Sequence, residues 1–326
     1  MILPRRKLLQ LTLGAAAVPA APLLASAEDY PNRHVRLVIP FPPGGTADPI
    51  ARLIAGRLSE VWGQQMIVEN KAGAAGNLAA HMVVQSAPDG YTVLMATSSL
   101  ATNPFIYSTI GFDAVADLSP ITLLCVFPSV LTVPNSSSVR TLKEFIEYAK
   151  GNPGKLSFAS PGVGTPSHLS GELLKREAGI DMVHVPYRGA GPAFSDLISG
   201  RIPAMISALP GALPHIRNNT IRAIAVTSAK RSPFAPDVPT IAEQGFPGFN
   251  ASAWYALFAP ARTPKPIIDK LHDDVGSALE YPAVKSKLNQ TATQVETTTP
   301  LELARYLKSE MQKWDPIIKQ IGIKPT

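Results

Sequence analysis

The chain has 326 residues, 45% hydrophobic and 17% charged, a balance that fits a globular protein and excludes a disordered or fibrous one. Thirty Lys and Arg against 24 Asp and Glu give a formal charge of +6; without the three basic residues of the first 27 positions the balance is 27 against 24, or +3, with no arginine-rich block, so nucleic acid is not a supported partner. One cysteine, Cys125, excludes an internal disulfide, and its place in the apolar run Ile121–Phe127 reads as a buried small side chain.

Residues 1–27 have the layout of a secretory signal. Arg5-Arg6-Lys7 is a basic start, Leu8–Leu24 is apolar but broken by Pro19 and Pro22, and Ala25-Ser26-Ala27 is a small-residue cleavage pattern before Glu28. The adjacent arginines suit either a twin-arginine or a general secretory route. No later apolar run is long enough to span a bilayer.

From residue 35 the pattern alternates strand and helix. A strand over 35–40 runs into the turn Phe41–Pro49 and a helix over 50–62. In that turn Gly44 and Gly45 let backbone approach a ligand, Thr46 offers a hydroxyl, and Asp48 reads as the N-cap with Pro49 at the first helical position. Asp48 also has a second reading, as a contact to an ammonium or a bridging water. A strand over 66–69 passes through the glycine-rich turn Asn70–Asn77 into a helix over 75–86. The strand 91–96 ends in Thr97-Ser98-Ser99, hydroxyls at the sheet edge where open α/β sheets bind ligands. The run 121–133 is too long for an average strand and carries Pro128, which reads as a crossing between two lobes.

A helix over 141–150 and a strand over 156–160 lead to the second turn of the first design, Ser160–His168. Gly162 and Gly164 supply freedom, Thr165 the cap and Pro166 the first helical position of a helix over 167–178. Strands follow at 182–186, 203–207, 221–227 and 253–259, with helices at 190–199 and 211–217. Tyr187-Arg188 ends the first of these strands, where Arg188 can meet a carboxylate or solvent. A second crossing is placed at 246–254, and helices over 265–279, 282–288 and 300–319 return to the first lobe. Helix starts carry unpaired N–H groups and partial positive charge, so two such turns over a hundred residues apart form two anion cradles that grip one small acid.

Catalytic arrangements are thin. There is no Gly-x-Ser-x-Gly elbow, and the six histidines show no metal-like spacing. A hydrolase built on Ser160 and His168 lacks an orienting acid. Gly162-x-Gly164 resembles part of a dinucleotide fingerprint, but its third position is Ser167 and no ribose-binding acid follows.

Several segments in order carry a resemblance: Pro40–Asp48 with Ala51-Arg52, Asn70–Asn77, Pro88–Thr92, Gly164–Leu169, Val185–Gly189 and Ala259–Pro264. Together they resemble the Bug-type extracytoplasmic solute receptors, the periplasmic binding proteins of tripartite tricarboxylate transporters. The resemblance spans essentially the whole chain after the signal. It implies an α/β, two-lobed periplasmic-binding-protein fold, type II-like, with two mainly parallel sheets flanked by helices and a hinge of two crossings. Lobe 1 would comprise 28–128 and 253–326, and lobe 2 would comprise 129–252. It implies a monomeric receptor, not an enzyme, without cofactor or metal, that hands a mono-, di- or tricarboxylate to membrane subunits; a sensory role would use the same pocket. The ligand-binding residues carried over are Phe41, Pro43, Gly44, Gly45, Thr46, Asp48, Asn77, Thr97 and Ser98 from the first lobe. From the second come Ser160, Gly162, Gly164, Thr165, His168, Tyr187 and Arg188. Ala256 and the run Met205–Ala208 depart from the family pattern, which bears on ligand identity.

The small residues at 25 and 27 place the mature start at Glu28. N-terminal sequencing of exported protein checks this, and a retained Met1 on membrane-bound material would overturn it.

Overall fold

The computed structural model describes residues 30–290 and 292–323; the signal-like segment 1–27 lies outside the described residues. The first half opens with β1 (Val35–Ile39), α1 (Ala47–Trp62), β2 (Met66–Asn70), α2 (Asn77–Val84), β3 (Thr92–Thr97) and the single turn α3 (Ser99–Thr102). β1 pairs in parallel with both β2 and β3. Its side chains are buried on both faces: Val35, Leu37 and Ile39 join one apolar cluster with α1, and Val38 joins another with Leu94 and Trp254.

β4 (Leu118–Pro134) is 17 residues long. Its first part pairs antiparallel with β9 (Ser252–Pro260), up to the pair Pro128–Ser252. From Ser129 it pairs instead with β7 (Met205–Ala208), and from Val130 also with β8 (Ile221–Val226). Between these come α4 (Leu142–Gly151), β5 (Ser157–Ser160), α5 (Pro166–Ala178), β6 (Val183–Pro186), α6 (Ala190–Ile198) and α7 (Leu209–Arg217). β5 pairs in parallel with β6 and β7. The chain closes with α8 (Lys265–Glu280), α9 (Pro282–Gln290), the two-residue β10 (Gln294–Val295) on β4, and α10 (Pro300–Ile321).

The expected α/β fold with helix-flanked sheets is present, in one amended form. The two parallel sets, β2–β1–β3 and β7–β5–β6, are joined through antiparallel β9 and β4 into one continuous mixed sheet. The amendment follows from the crossings themselves, because strands that run out of one half and back into it lie head to tail. The short strand β10 and the turn at 99–105 have too few residues for a periodic signal.

Side-chain caps fix several helix starts. Thr141 with Glu144 and Thr299 with Glu302 form capping boxes at α4 and α10. α10 buries Leu303 and Leu307 in a cluster of the first half, and Trp314 and Ile318 in a cluster of the second. It therefore packs along both halves, while α6 and α7 cover the far face of the second with Phe194, Leu197, Leu209 and Leu213.

Where β4 changes partners, a buried threonine closes the backbone. Thr227 Oγ1 accepts from Ser129 N at 2.9 Å and donates to Ala251 O at 2.8 Å. One hydroxyl thus ties both crossings together. Thr227→Val keeps the shape and leaves a buried N–H and C=O unpaired, so we expect a loss of about 2 kcal/mol, with Thr227→Ser near wild type. Urea unfolding measures both variants; an unchanged Thr227→Val would remove this role.

Candidate ligand-binding cleft

The carboxyl ends of β1, β3, β5, β6 and β7 meet where the two halves face each other. The first glycine-rich loop is anchored from behind. Asp48 is not the N-cap of α1; the helix starts at Ala47, two residues earlier than expected, Thr46 holds the cap position without a side-chain cap bond, and Asp48 is buried in the first turn. Its carboxylate accepts from Asn70 Nδ2 at 3.0 Å, Arg52 Nε at 3.0 Å and Gly44 N at 3.3 Å. Burial opposes this charge, but the bonds from Arg52, Asn70 and Gly44 outweigh it and hold the carboxyl below its usual range. Asn70 also donates to Phe41 O at 2.8 Å, so the loop is tied at both ends. The sequence reading missed this because the i,i+4 Asp48–Arg52 pair competes with capping.

The second loop is held by histidines. Thr165 caps α5 as predicted, accepting from His168 N at 3.4 Å and donating to Gly162 O at 2.7 Å. His168 lies behind the loop, outside the lining of the two spaces described below; its Nδ1 accepts from Gly164 N at 3.2 Å. Its ring stacks on His184, with centroids 3.9 Å apart, and His184 Nε2 lies 2.7 Å from Ser160 Oγ. Burial, with Lys175 nearby, lowers the His168 pKa to about 4. Burial, with His168 and Lys175, lowers that of His184 to about 3. Both rings are neutral at pH 7, as the Gly164 bond to His168 requires. The Ser160–His168 pair considered for a hydrolase does not form; Ser160 is occupied by His184 and the turn at Gly162.

Each loop faces a different partner across the cleft. Pro42 Cγ lies 3.3 Å from where a Cβ of Gly189 would stand, and Thr46 Oγ1 lies 2.8 Å from the same point on Gly211. The second loop meets the turn at 73–76 and its neighbours: Ser99 Oγ donates to Gly164 O at 3.2 Å, and Tyr107 Oη to Val163 O at 3.4 Å. Gly164 has φ +75°, which strains any side chain, and a Cβ there would stand 3.3–3.4 Å from Tyr107, Ala75 and Asn103.

These contacts border a partly open cavity of about 290 Å³. Of the residues singled out in the sequence, Phe41, Pro43, Gly44, Gly45, Thr46, Thr97, Thr165 and Arg188 line it. Gly162 and Tyr187 line a second space of about 630 Å³ outside it, which shares Phe41, Thr165 and Arg188. Tyr187 Oη is engaged by Asp196 at 2.8 Å. Asn77 faces a small gap of about 10 Å³ and bonds Asn103; Ser98 is buried without a partner. Asp48, Ser160, Gly164 and His168 support the loops from behind. Sequence reasoning missed the floor, Phe127 and Tyr255, and the hydroxyls Ser129 and Ser167. Phe127 and Tyr255 come from the two crossings, so a rule that strand crossings border the cleft would have found them.

Residues 50–323 match the family described as "Tripartite tricarboxylate transporter family receptor", and the chain belongs to it. It is 36% identical over 312 residues to Protein BugT of Bordetella pertussis, covering 95% of each chain. The structure titled "R. palustris Rpa4515 with adipate" is 36% identical, with a TM-score of 0.88, covering 91% of this chain and 100% of that one. MatC (Rpa3494) from Rhodopseudomonas palustris with bound malate is 33% identical, with a TM-score of 0.82, covering 89% and 100%. The family is one of solute-binding receptors, not enzymes.

The neutral histidine pair makes the fold acid-sensitive. Unfolded imidazoles take up protons near pH 6.5, the folded ones only near 4 and 3. The unfolded chain thus binds more protons between those values, and stability falls as the pH falls below 6.5. From pH 7 to 5 the loss is on the order of 1–2 kcal/mol per imidazole. His184→Phe keeps the stacking and removes one titration, so its loss should be about half that of wild type by urea unfolding at the two pH values. Equal losses would refute the assignment.

Proposed function

We propose that the chain is a periplasmic receptor that closes lobes 28–128 with 253–326 and 129–252 on a small carboxylated organic acid. It then delivers that acid to the membrane subunits of a tripartite transporter. The observation that carries this reading is a cleft cavity bordered by the starts of α1, α5, α6 and α7, with no acidic side chain among its lining residues. Three of these helices, α1, α6 and α7, start without a side-chain cap bond. Uncapped N–H groups and helix dipoles favour an anion. Arg188 borders the cavity and makes no hydrogen bond or ion pair among the described residues, leaving a guanidinium for a carboxylate.

The relatives that carry adipate and malate support an organic acid as ligand. Energetically the site is sufficient. Micromolar binding needs about 8 kcal/mol. Charge-assisted hydrogen bonds at roughly 1.5–3 kcal/mol each reach it from a few donors, after ordering costs. Closure is favoured only by the ligand's better contacts in the closed form.

Gly45 offers a clean test. It lies outside the left-handed region, and a Cβ there meets only Pro42 O at 3.5 Å and Phe41 Cβ at 3.9 Å. Gly45→Val should fold normally, send its outer methyls into the cavity, and weaken acid binding at least tenfold, about 1.4 kcal/mol. Calorimetry with an acid identified by a thermal-shift screen measures this. Small-angle scattering should show compaction on adding that acid, with the acid recovered unchanged. Unaltered affinity in Gly45→Val together with a rigid particle would overturn the reading.

A further inference from the structure

The charge and shape of the cavity restrict which acid it holds. Its lining contains one formally charged side chain, Arg188, and no Asp, Glu, Lys or His. Asp48, the acidic residue nearest in the loop, is turned away and saturated by Arg52, Asn70 and Gly44. An ammonium group would enter without a counter-charge, at the cost of desolvating it unpaired. A second or third carboxylate would find no second charged side chain in the lining once Arg188 holds the first.

The inner wall is apolar. Phe127 and Tyr255 are both more than nine-tenths buried, with ring centroids 4.9 Å apart and planes tilted by 50°. Ala208, Ala253 and Phe194 continue this wall. Among the lining hydroxyls Thr165 donates to Gly162 O and Ser129 and Ser167 contact each other at 3.4 Å, while the Ser207 hydroxyl is buried without a partner. The lining thus joins one charged side chain and a few hydroxyls to an apolar surface made chiefly by Phe127, Tyr255 and Phe194.

We infer that the preferred ligand is a monocarboxylate with an aromatic or similarly bulky apolar body, its carboxylate toward Arg188 and the α1 start and its body on Phe127 and Tyr255. This rests on the receptor reading above. It differs from a receptor for tricarboxylates, α,ω-dicarboxylates or amino acids, each of which brings further charge for which the lining holds no second charged side chain. Rings gain from offset or tilted packing on such a floor.

The test is calorimetry on the mature chain, freed of bound solute by unfolding and refolding, with benzoate, adipate, citrate and glutamate as probes. Mass spectrometry of any acid carried by protein purified from the periplasm runs in parallel. We expect benzoate to bind at least tenfold tighter than each of the other three, and a recovered acid to be an apolar monocarboxylate. Adipate, citrate or glutamate binding as tightly as benzoate, or a recovered polycarboxylate or amino acid, would overturn the inference and leave the receptor reading standing. No binding by any probe and no recovered acid would overturn both.

Discussion

A strand that serves two halves of a protein must change hydrogen-bond partners somewhere, and the rest of this structure depends on how β4 does so. Its ladder with β9 ends at Pro128, which has no N–H to give, and its ladder with β7 begins at Ser129. The Ser129 N–H is buried at that step and would be orphaned. The Thr227 hydroxyl accepts a hydrogen bond from it and donates its own to Ala251 O, just before β9 starts. Both crossings therefore leave one buried junction, and the cleft residues Phe127, Ser129 and Ala253 stand within two positions of it. The geometry of the site is set by the same bonds that join the halves.

The loops follow a second rule. A backbone that offers N–H groups to a ligand has to be held by something other than those groups. In the first loop the Asp48–Asn70–Arg52 set does this, and in the second the neutral His168–His184 stack. Both sets lie behind their loops and leave the cleft side open. Loop rigidity is thus obtained from buried polar side chains, which are costly unless fully bonded.

Much of this was legible in the sequence, because alternating short apolar runs and amphipathic stretches mark every strand longer than two residues and every helix beyond a single turn. The glycine-rich turns and the Thr165 cap were legible too, since their chemistry is local. Asp48 and His168 were not. The bond from Asn70 to Asp48 and a ring stacked on His184 are tertiary facts, and from the sequence Asp48 also reads as a cap. Phe127 and Tyr255 look like ordinary core residues, and only the meeting of β4 and β9 makes them a cavity floor. The cross-cleft partners of each loop, Gly189 and Gly211 for one and Tyr107 and Ser99 for the other, depend on how the halves dock, which no local pattern encodes.

α10 adds a constraint of another kind. Its 22 residues span about 33 Å and bury Leu303 and Leu307 against one half, Trp314 and Ile318 against the other. A pair of flexible crossings alone would let the halves swing freely. With the helix clamped to both, any swing has to peel one end of it or bend it near Pro316, which lacks an N–H for the helical ladder. Peeling wets apolar side chains and raises the heat capacity. The helix thus acts as a tether, and any motion of the halves that peeled it would carry a positive heat-capacity change.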